Sequence, residues 1–195
     1  MSVRDNKTEQ LIKDTAKRIF FAEGKLHATT QEIADAAGIN RTLLHYYFRS
    51  RDILFKQVFE EAMLTIRARM DEIFESGELF KEKIEKLIAV FLQEAILYPY
   101  REIFVITELN SNSKAVPMVS EQQKMQFFLN QIEEEMKAGN IKKMDPRHFV
   151  MNLFALMAYP LIAASLNKNI FNLNNDDYLA LMHERKAVIL QTIYS

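Results

Sequence analysis

The chain has no cysteine, only four glycines and four prolines in 195 residues, and no long uninterrupted apolar run. Each scarcity removes a class of explanation. Without cysteine there are no disulfides, no thiolate nucleophile and no cysteine-ligated zinc or iron–sulfur centre, which fits a reducing compartment and predicts a cytoplasmic protein. Few glycines and prolines leave little to interrupt helices, and the polar–apolar alternation of a half-buried strand is missing. The expected fold class is all-α. A membrane-spanning helix needs about 18 or more apolar residues in succession, so no membrane partner is expected. The opening MSVRDNKTEQ is polar and mixed in charge, unlike a secretory signal.

The formal net charge is −1, but it is unevenly spread. Residues 1–56 carry ten Lys and Arg against seven Asp and Glu, and the rest of the chain fifteen against nineteen. The basic excess sits at the N-terminal end, the sign needed for phosphate binding. So weak a field predicts that tight binding needs two such units acting together.

The segment TQEIADAAGINRTLLHYYFR, residues 30–49, is what that excess surrounds. Ile33, Ala34 and Ala37 share one face of a short helix at the spacing of a buried stripe. Gly38 follows, where a tight turn needs a positive φ. Asn40 caps a second helix, with Ile39 and Leu44 placed as a hydrophobic staple. Leu44, Tyr47 and Phe48 form its inner face, leaving Arg41, Thr42, His45 and Tyr46 outward. Thr29 and Glu32 make a capping box for the first helix, and Ser50 caps a third opening at Arg51. The pattern predicts a helix-turn-helix whose second helix enters the DNA major groove. An ordinary helical corner in an all-α protein is the competing reading.

This block resembles the DNA-binding domain of TetR-family transcriptional regulators. The match covers roughly residues 8–56: Ile19-Phe20-Phe21-Ala22-Glu23-Gly24, then Thr29-Thr30, Ile33-Ala34, Ala37-Gly38-Ile39, Leu44, Tyr47-Phe48 and Ser50-Arg51-Asp52-Ile53-Leu54-Phe55. It departs from the family's usual residues at Thr42, commonly small or Gly, at His45, commonly Tyr, and at Arg51, commonly Lys. The operator sequence therefore does not carry over. The expected DNA-contacting set is Thr29, Thr30, Gln31, Arg41, Thr42, Leu43, His45, Tyr46, Tyr47 and Arg51. Arg41, Thr42, His45 and Tyr46 are expected at the bases, and Thr30, Tyr47 and Arg51 at phosphates. The domains expected are a DNA-binding unit over 1–56 and a helical ligand-binding and dimerisation unit over 57–195.

Beyond the block, helices are expected at about 6–23, 51–76, 79–98, 101–111, 117–138, 146–167 and 176–194. Gly77 is expected to end the long one as a left-handed cap, Pro117 to mark a boundary, Pro160 to kink or split its helix, and 168–176 to form a polar loop. The C-terminal half is rich in Met and Phe, which are usually core but also line adaptable pockets. Resemblance to the family implies a small-molecule effector held there. Candidate pocket residues are Phe91, Glu94, Phe104, Glu108, Phe128, Asn152, Phe154 and Tyr159, the polar ones equally compatible with surface or core. The resemblance also implies a homodimer matching a palindromic double-stranded operator, with Leu153, Leu156, Met182, Ile189 and Ile193 as candidate interface residues. Those stripes could equally pack within one chain.

An enzyme or ligand carrier with an incidental helix-turn-helix is the alternative. It would need a catalytic constellation, and the sequence holds none. His27, His45, His148 and His183 are scattered, without metal-ligand spacing. There is no Gly-rich phosphate loop or nucleophile elbow, and acidic runs such as Glu133-Glu134-Glu135 read as solvated faces. No catalytic residue, metal or cofactor is expected. The function expected is a TetR-like regulator, a repressor released from its operator by a small apolar or amphipathic ligand.

Overall fold

Helices start in this chain where side chains satisfy the free N–H groups of a first turn. A computed structural model describes residues 3–111 and 118–194. The Thr29 hydroxyl accepts from Glu32 N (3.2 Å) while the Glu32 carboxylate accepts from Thr29 N (2.7 Å). Asn40 accepts from Leu43 N at 2.8 Å and Ser50 from Ile53 N at 3.2 Å. Asp145 and Asn174 cap later helices in the same way. The described residues form ten helices: α1 Val3–Lys17, α2 Thr30–Ala36, α3 Arg41–Phe48, α4 Arg51–Glu75, α5 Phe80–Leu97, α6 Arg101–Ser111, α7 Met118–Lys137, α8 Pro146–Ile162, α9 Ala164–Phe171 and α10 Asn175–Ile193. No strand occurs among them. Pro117, expected as a boundary, lies outside the described residues.

Two large apolar cores share α4. The first joins α1 to α4 around Ile12, Phe20, Ile33, Leu44, Phe48 and Leu54, and it also takes in Phe104 and Val105 of α6. The second lies between the C-terminal end of α4 and α5, α7, α8 and α10, around Ile84, Ile88, Ile132, Phe149, Leu153 and Ile189. At 25 residues and about 1.5 Å per residue, α4 reaches from one to the other.

Three expectations change. The first helix ends at Lys17 and continues as a π-helical turn, Arg18–Ala22, which buries Ile19, Phe20 and Phe21 together. Widening the helix here lets three successive apolar residues face two neighbours, the helix-turn-helix and α6. Gly77 is not a left-handed cap: Ser76 turns the chain extended after Glu75, and its hydroxyl donates to Ile73 O at 2.8 Å. The polar segment 168–176 is not all loop, because α9 carries the helix on to Phe171 before Asn172 turns left-handed.

The α8–α9 break shows how a helix is ended by proline chemistry. Pro160 cannot donate to Leu156 O; Arg185 of α10 does so instead, from Nε and Nη2, each at 3.1 Å. The Tyr178 hydroxyl donates to Pro160 O and accepts from Asn167 Nδ2 at 3.2 Å. The chain bends by 71° between the two helices. Among the described residues no single helix is long and apolar enough to cross a membrane.

Gly24 and Gly38 both have positive φ, +70° and +68°. A Cβ at Gly38 meets nothing within 4 Å, whereas one at Gly24 lies 2.8 Å from the Tyr100 ring. Gly38→Ala should therefore lose about 1 kcal/mol, the strain of the left-handed backbone alone. Gly24→Ala should lose at least about 2 kcal/mol, since overpacking adds to that strain. Urea unfolding of the two variants checks the difference; equal losses would mean that Tyr100 moves aside freely.

Candidate nucleic-acid interface

The buried side of α3 decides what its other side can present. Leu44 and Phe48 point into the first core and are almost fully inaccessible. Positions 41, 42, 45, 46 and 49 then fall together on the opposite face. Arg41, Thr42, Tyr46 and Arg49 are exposed, Tyr46 at 74%. Leu43, His45 and Tyr47 are half-buried, and the Tyr46 and Tyr47 rings meet edge to face at 5.2 Å. Thr29 and Gln31 are exposed at the start of α2, where Gln31 donates to Asp35 at 2.7 Å.

A hydrogen-bonded line runs along this face. Arg41 Nε donates to His45 Nε2 at 3.2 Å, and His45 Nδ1 lies 2.8 Å from Arg49 O. A carbonyl only accepts, so in this arrangement Nδ1 is the donor and Nε2 the acceptor. Arg49 has φ +54°, unusual for a residue with a Cβ, and this turn brings its carbonyl back to His45. Arg41 is thereby held by its neighbours with its terminal guanidinium nitrogens still available. Sequence reasoning treated His45 as a base-contacting residue and gave Arg49 no such place; the signal available was the i, i+4, i+8 spacing of 41, 45 and 49.

Two expected phosphate contacts sit elsewhere. Thr30 is buried, with 7% of its surface accessible. Arg51 turns inward: Nε donates to Ala28 O at 3.0 Å, Nη2 donates to Leu26 O, and the guanidinium lies over the Phe20 and Phe55 rings at 5.7 and 5.1 Å. It braces the loop ahead of α2 against the start of α4. A guanidinium can do this because its donors form a fixed fork and its plane stacks on rings. In the capping box, Thr29 N–H and then the Thr29 hydroxyl hold the Glu32 carboxyl below the usual carboxylate range. That contribution is present at neutral pH and lost as the pH falls through the lowered value.

Comparison with known proteins agrees with this geometry. Residues 12–58, which span the helix-turn-helix, match the model of bacterial regulatory proteins of the TetR family. The match is confined to the helix-turn-helix and the helices that flank it. It is 22% identical over 145 residues to the HTH-type transcriptional regulator YhgD of Bacillus subtilis, covering 71% of this chain and 74% of that one. Its fold is like that of the regulator FadR from Bacillus subtilis, solved in complex with stearoyl-CoA (TM-score 0.63, 21% identity, 94% of this chain and 98% of that one). It is also like that of the ketosteroid transcriptional regulator of Mycobacterium tuberculosis (TM-score 0.68, 15% identity, 100% and 97%).

The residues expected to line one effector pocket are dispersed. Phe104 and Glu108 border a cleft of about 810 Å³ between α6 and the DNA-binding unit. Phe91 and Glu94 border a space of only about 40 Å³ between α4 and α5, where Glu94 is held by Arg69 and Arg101. Phe128 lines a cleft of about 560 Å³ where α4, α5 and α7 meet. Asn152 and Tyr159 are exposed in a groove between α8 and α10, and Phe154 packs on the second core. The residues expected at the dimer interface are placed as follows. Leu153, Met182, Ile189 and Ile193 are buried inside the chain, and Leu156 is half-buried against the second core. The stripes pack α8 and α10 within one protomer.

Arg41→Ala should relax base preference at one operator position by about 1–3 kcal/mol if its contact there is bidentate, with stability unchanged. Arg51→Ala should instead lower the free energy of unfolding by about 1–3 kcal/mol, since it leaves two carbonyls unpaired, and weaken all operator variants alike. Denaturation and binding across an operator panel separate the two. Unaltered stability of Arg51→Ala would overturn the bracing role.

Proposed function

We propose that the chain is a homodimeric, cytoplasmic repressor that sets two helix-turn-helix units on a palindromic operator and leaves it when a small apolar or amphipathic ligand binds the C-terminal unit. Residues 1–56 form the reading unit and 57–195 the ligand-binding and dimerisation unit, with Arg41, Thr42, Tyr46 and, through Arg41, His45 at the bases. The observation that carries the switching part is Phe104. This residue of the C-terminal unit is lodged in the core of the reading unit, so the two cannot shift independently. That a similarly folded regulator was solved with stearoyl-CoA supports an amphipathic effector. A tenfold release of operator needs about 1.4 kcal/mol of coupling, within the usual range for effectors.

The dimer face is the apolar surface that one protomer leaves uncovered. On α8 it is Met151, Ala155, Tyr159 and Ile162; on α9 it is Leu166, Ile170 and Phe171; on α10 it is Leu181 and Val188, all exposed. Exposed apolar side chains gathered on three helices of one region support an interaction site there. Two-fold symmetry lets the same patch serve both protomers.

Tyr159→Glu with Val188→Glu should give a folded monomer whose operator affinity falls roughly 100- to 10,000-fold, the advantage of two linked half-site contacts. Ile189→Glu should fail to fold, because it buries a charge in the second core. Sedimentation and circular dichroism read both outcomes, and a dimer unchanged by the paired charges would place the interface elsewhere. Selection of bound sites from random DNA tests the palindrome.

A further inference from the structure

Among the described residues of the C-terminal unit two basic side chains are buried, and they are treated differently. Arg101 meets Glu102 at 2.8 Å and is also paired with Glu94, so its charge is compensated. Lys83, at the start of α5, is 6% accessible. Its ammonium donates to one acceptor, Phe74 O, at 2.9 Å. Among the described residues it has no carboxylate partner. An ammonium has three donors, and a buried charge without an opposite charge is unfavourable.

Lys83 also borders the cleft where α4, α5 and α7 meet. The cleft has a volume of about 560 Å³, and Phe74, Phe127 and Phe128 line it beside Lys83. That is the size of a small-molecule site, with aromatic walls and Lys83 as its one buried charge, while Glu75 on its border is exposed to solvent. Asp71 and Lys124, also on its border, pair with each other. We propose that this cleft is the effector site and that it takes an anionic amphiphile, its acidic head on the Lys83 ammonium and its chain along Phe74, Phe127 and Phe128. The inference rests on the ligand-released repressor reading above and adds to it the place and the charge of the ligand. The anion supplies the countercharge that Lys83 lacks and accepts its two remaining N–H donors. A neutral alcohol supplies only an acceptor, and an alkylammonium is repelled.

The test is calorimetric titration of the full chain with dodecanoate, dodecyl phosphate, dodecanol and dodecyltrimethylammonium. The first two distinguish a carboxylate from a phosphate head. The wild type should bind at least one of the two anions more tightly than the alcohol or the cation. Lys83→Met keeps the length of the stem, removes the charge and should fold; it should bind the anion about ten- to a hundredfold more weakly while the alcohol is unchanged. Lys83→Arg should retain the preference for anions. Equal anion binding by wild type and Lys83→Met, or no preference for the anions, would overturn the site. Operator binding with each ligand keeps the two readings apart. An anion that binds through Lys83 without altering operator affinity supports the site and overturns the release mechanism. A ligand that releases operator equally from wild type and Lys83→Met does the reverse.

Discussion

The placement of the reading head depends on one ring. Phe104 of α6 lies 4.4 Å from Phe55, 4.7 Å from Phe21, 5.8 Å from Phe59 and 6.2 Å from Phe20 between ring centroids. Its neighbours come from the π-turn and from α4, so the head has a core completed by a residue of the other unit. Aromatic pairs at these separations add to the energy of burial itself. The same junction is pinned by a backbone bond, Tyr100 N to Phe21 O at 2.9 Å, and by the close approach of the Tyr100 ring to Gly24. The head therefore meets the body along two routes. One is the continuous helix α4, and the other is the start of α6 against the π-turn. Sequence periodicity pointed only to the first.

What could be read from the sequence was local. Thr29 with Glu32, Asn40 with Leu43 and Ser50 with Ile53 are each three residues apart, and Gly38 needs only its own backbone. Caps of that kind set where α2, α3 and α4 begin, and Leu44 and Phe48 then set which face of α3 is buried. The relations that escaped are long-range. Arg51 lies 25 residues from Leu26 and 23 from Ala28, and nothing in its own neighbourhood says whether its charge faces phosphate or carbonyl. Phe104 looked like a pocket residue because a phenylalanine on an amphipathic helix has the same pattern whichever unit it joins.

The α8–α10 pair escaped for a different reason. On α10, Tyr178, Met182, Ile189 and Ile193 are buried, while Leu181 and Val188 are exposed. The helix is apolar on two sides. A stripe by itself says that a face is covered, not by what, and here the intramolecular partner takes the more regular one. Pro160 was legible as a break, yet its effect required Arg185 and Tyr178 from another helix to satisfy the carbonyls at Leu156 and Pro160. Their hydrogen bonds hold α10 against α8 at the point where the backbone would otherwise carry unpaired acceptors.

The ion network explains how events in the body can reach Phe104. Arg69 of α4 and Arg101 of α6 converge on Glu94 of α5, and Glu102 holds Arg101 from the other side. Arg101 is the first residue of α6, one turn ahead of Phe104. The Arg101 pairs with Glu94 and Glu102 are largely buried and tolerate little displacement, because separating one partner leaves the other uncompensated, whereas Arg69 is exposed. A shift of α5 at Glu94 must therefore move the start of α6 or separate Arg101 from its partner. Removing a buried Phe outright is worth about 3–5 kcal/mol, whereas effector coupling needs only about 1–3 kcal/mol. On the proposed release, loosening part of the packing around Phe104 would supply that coupling without taking the rest of the core apart.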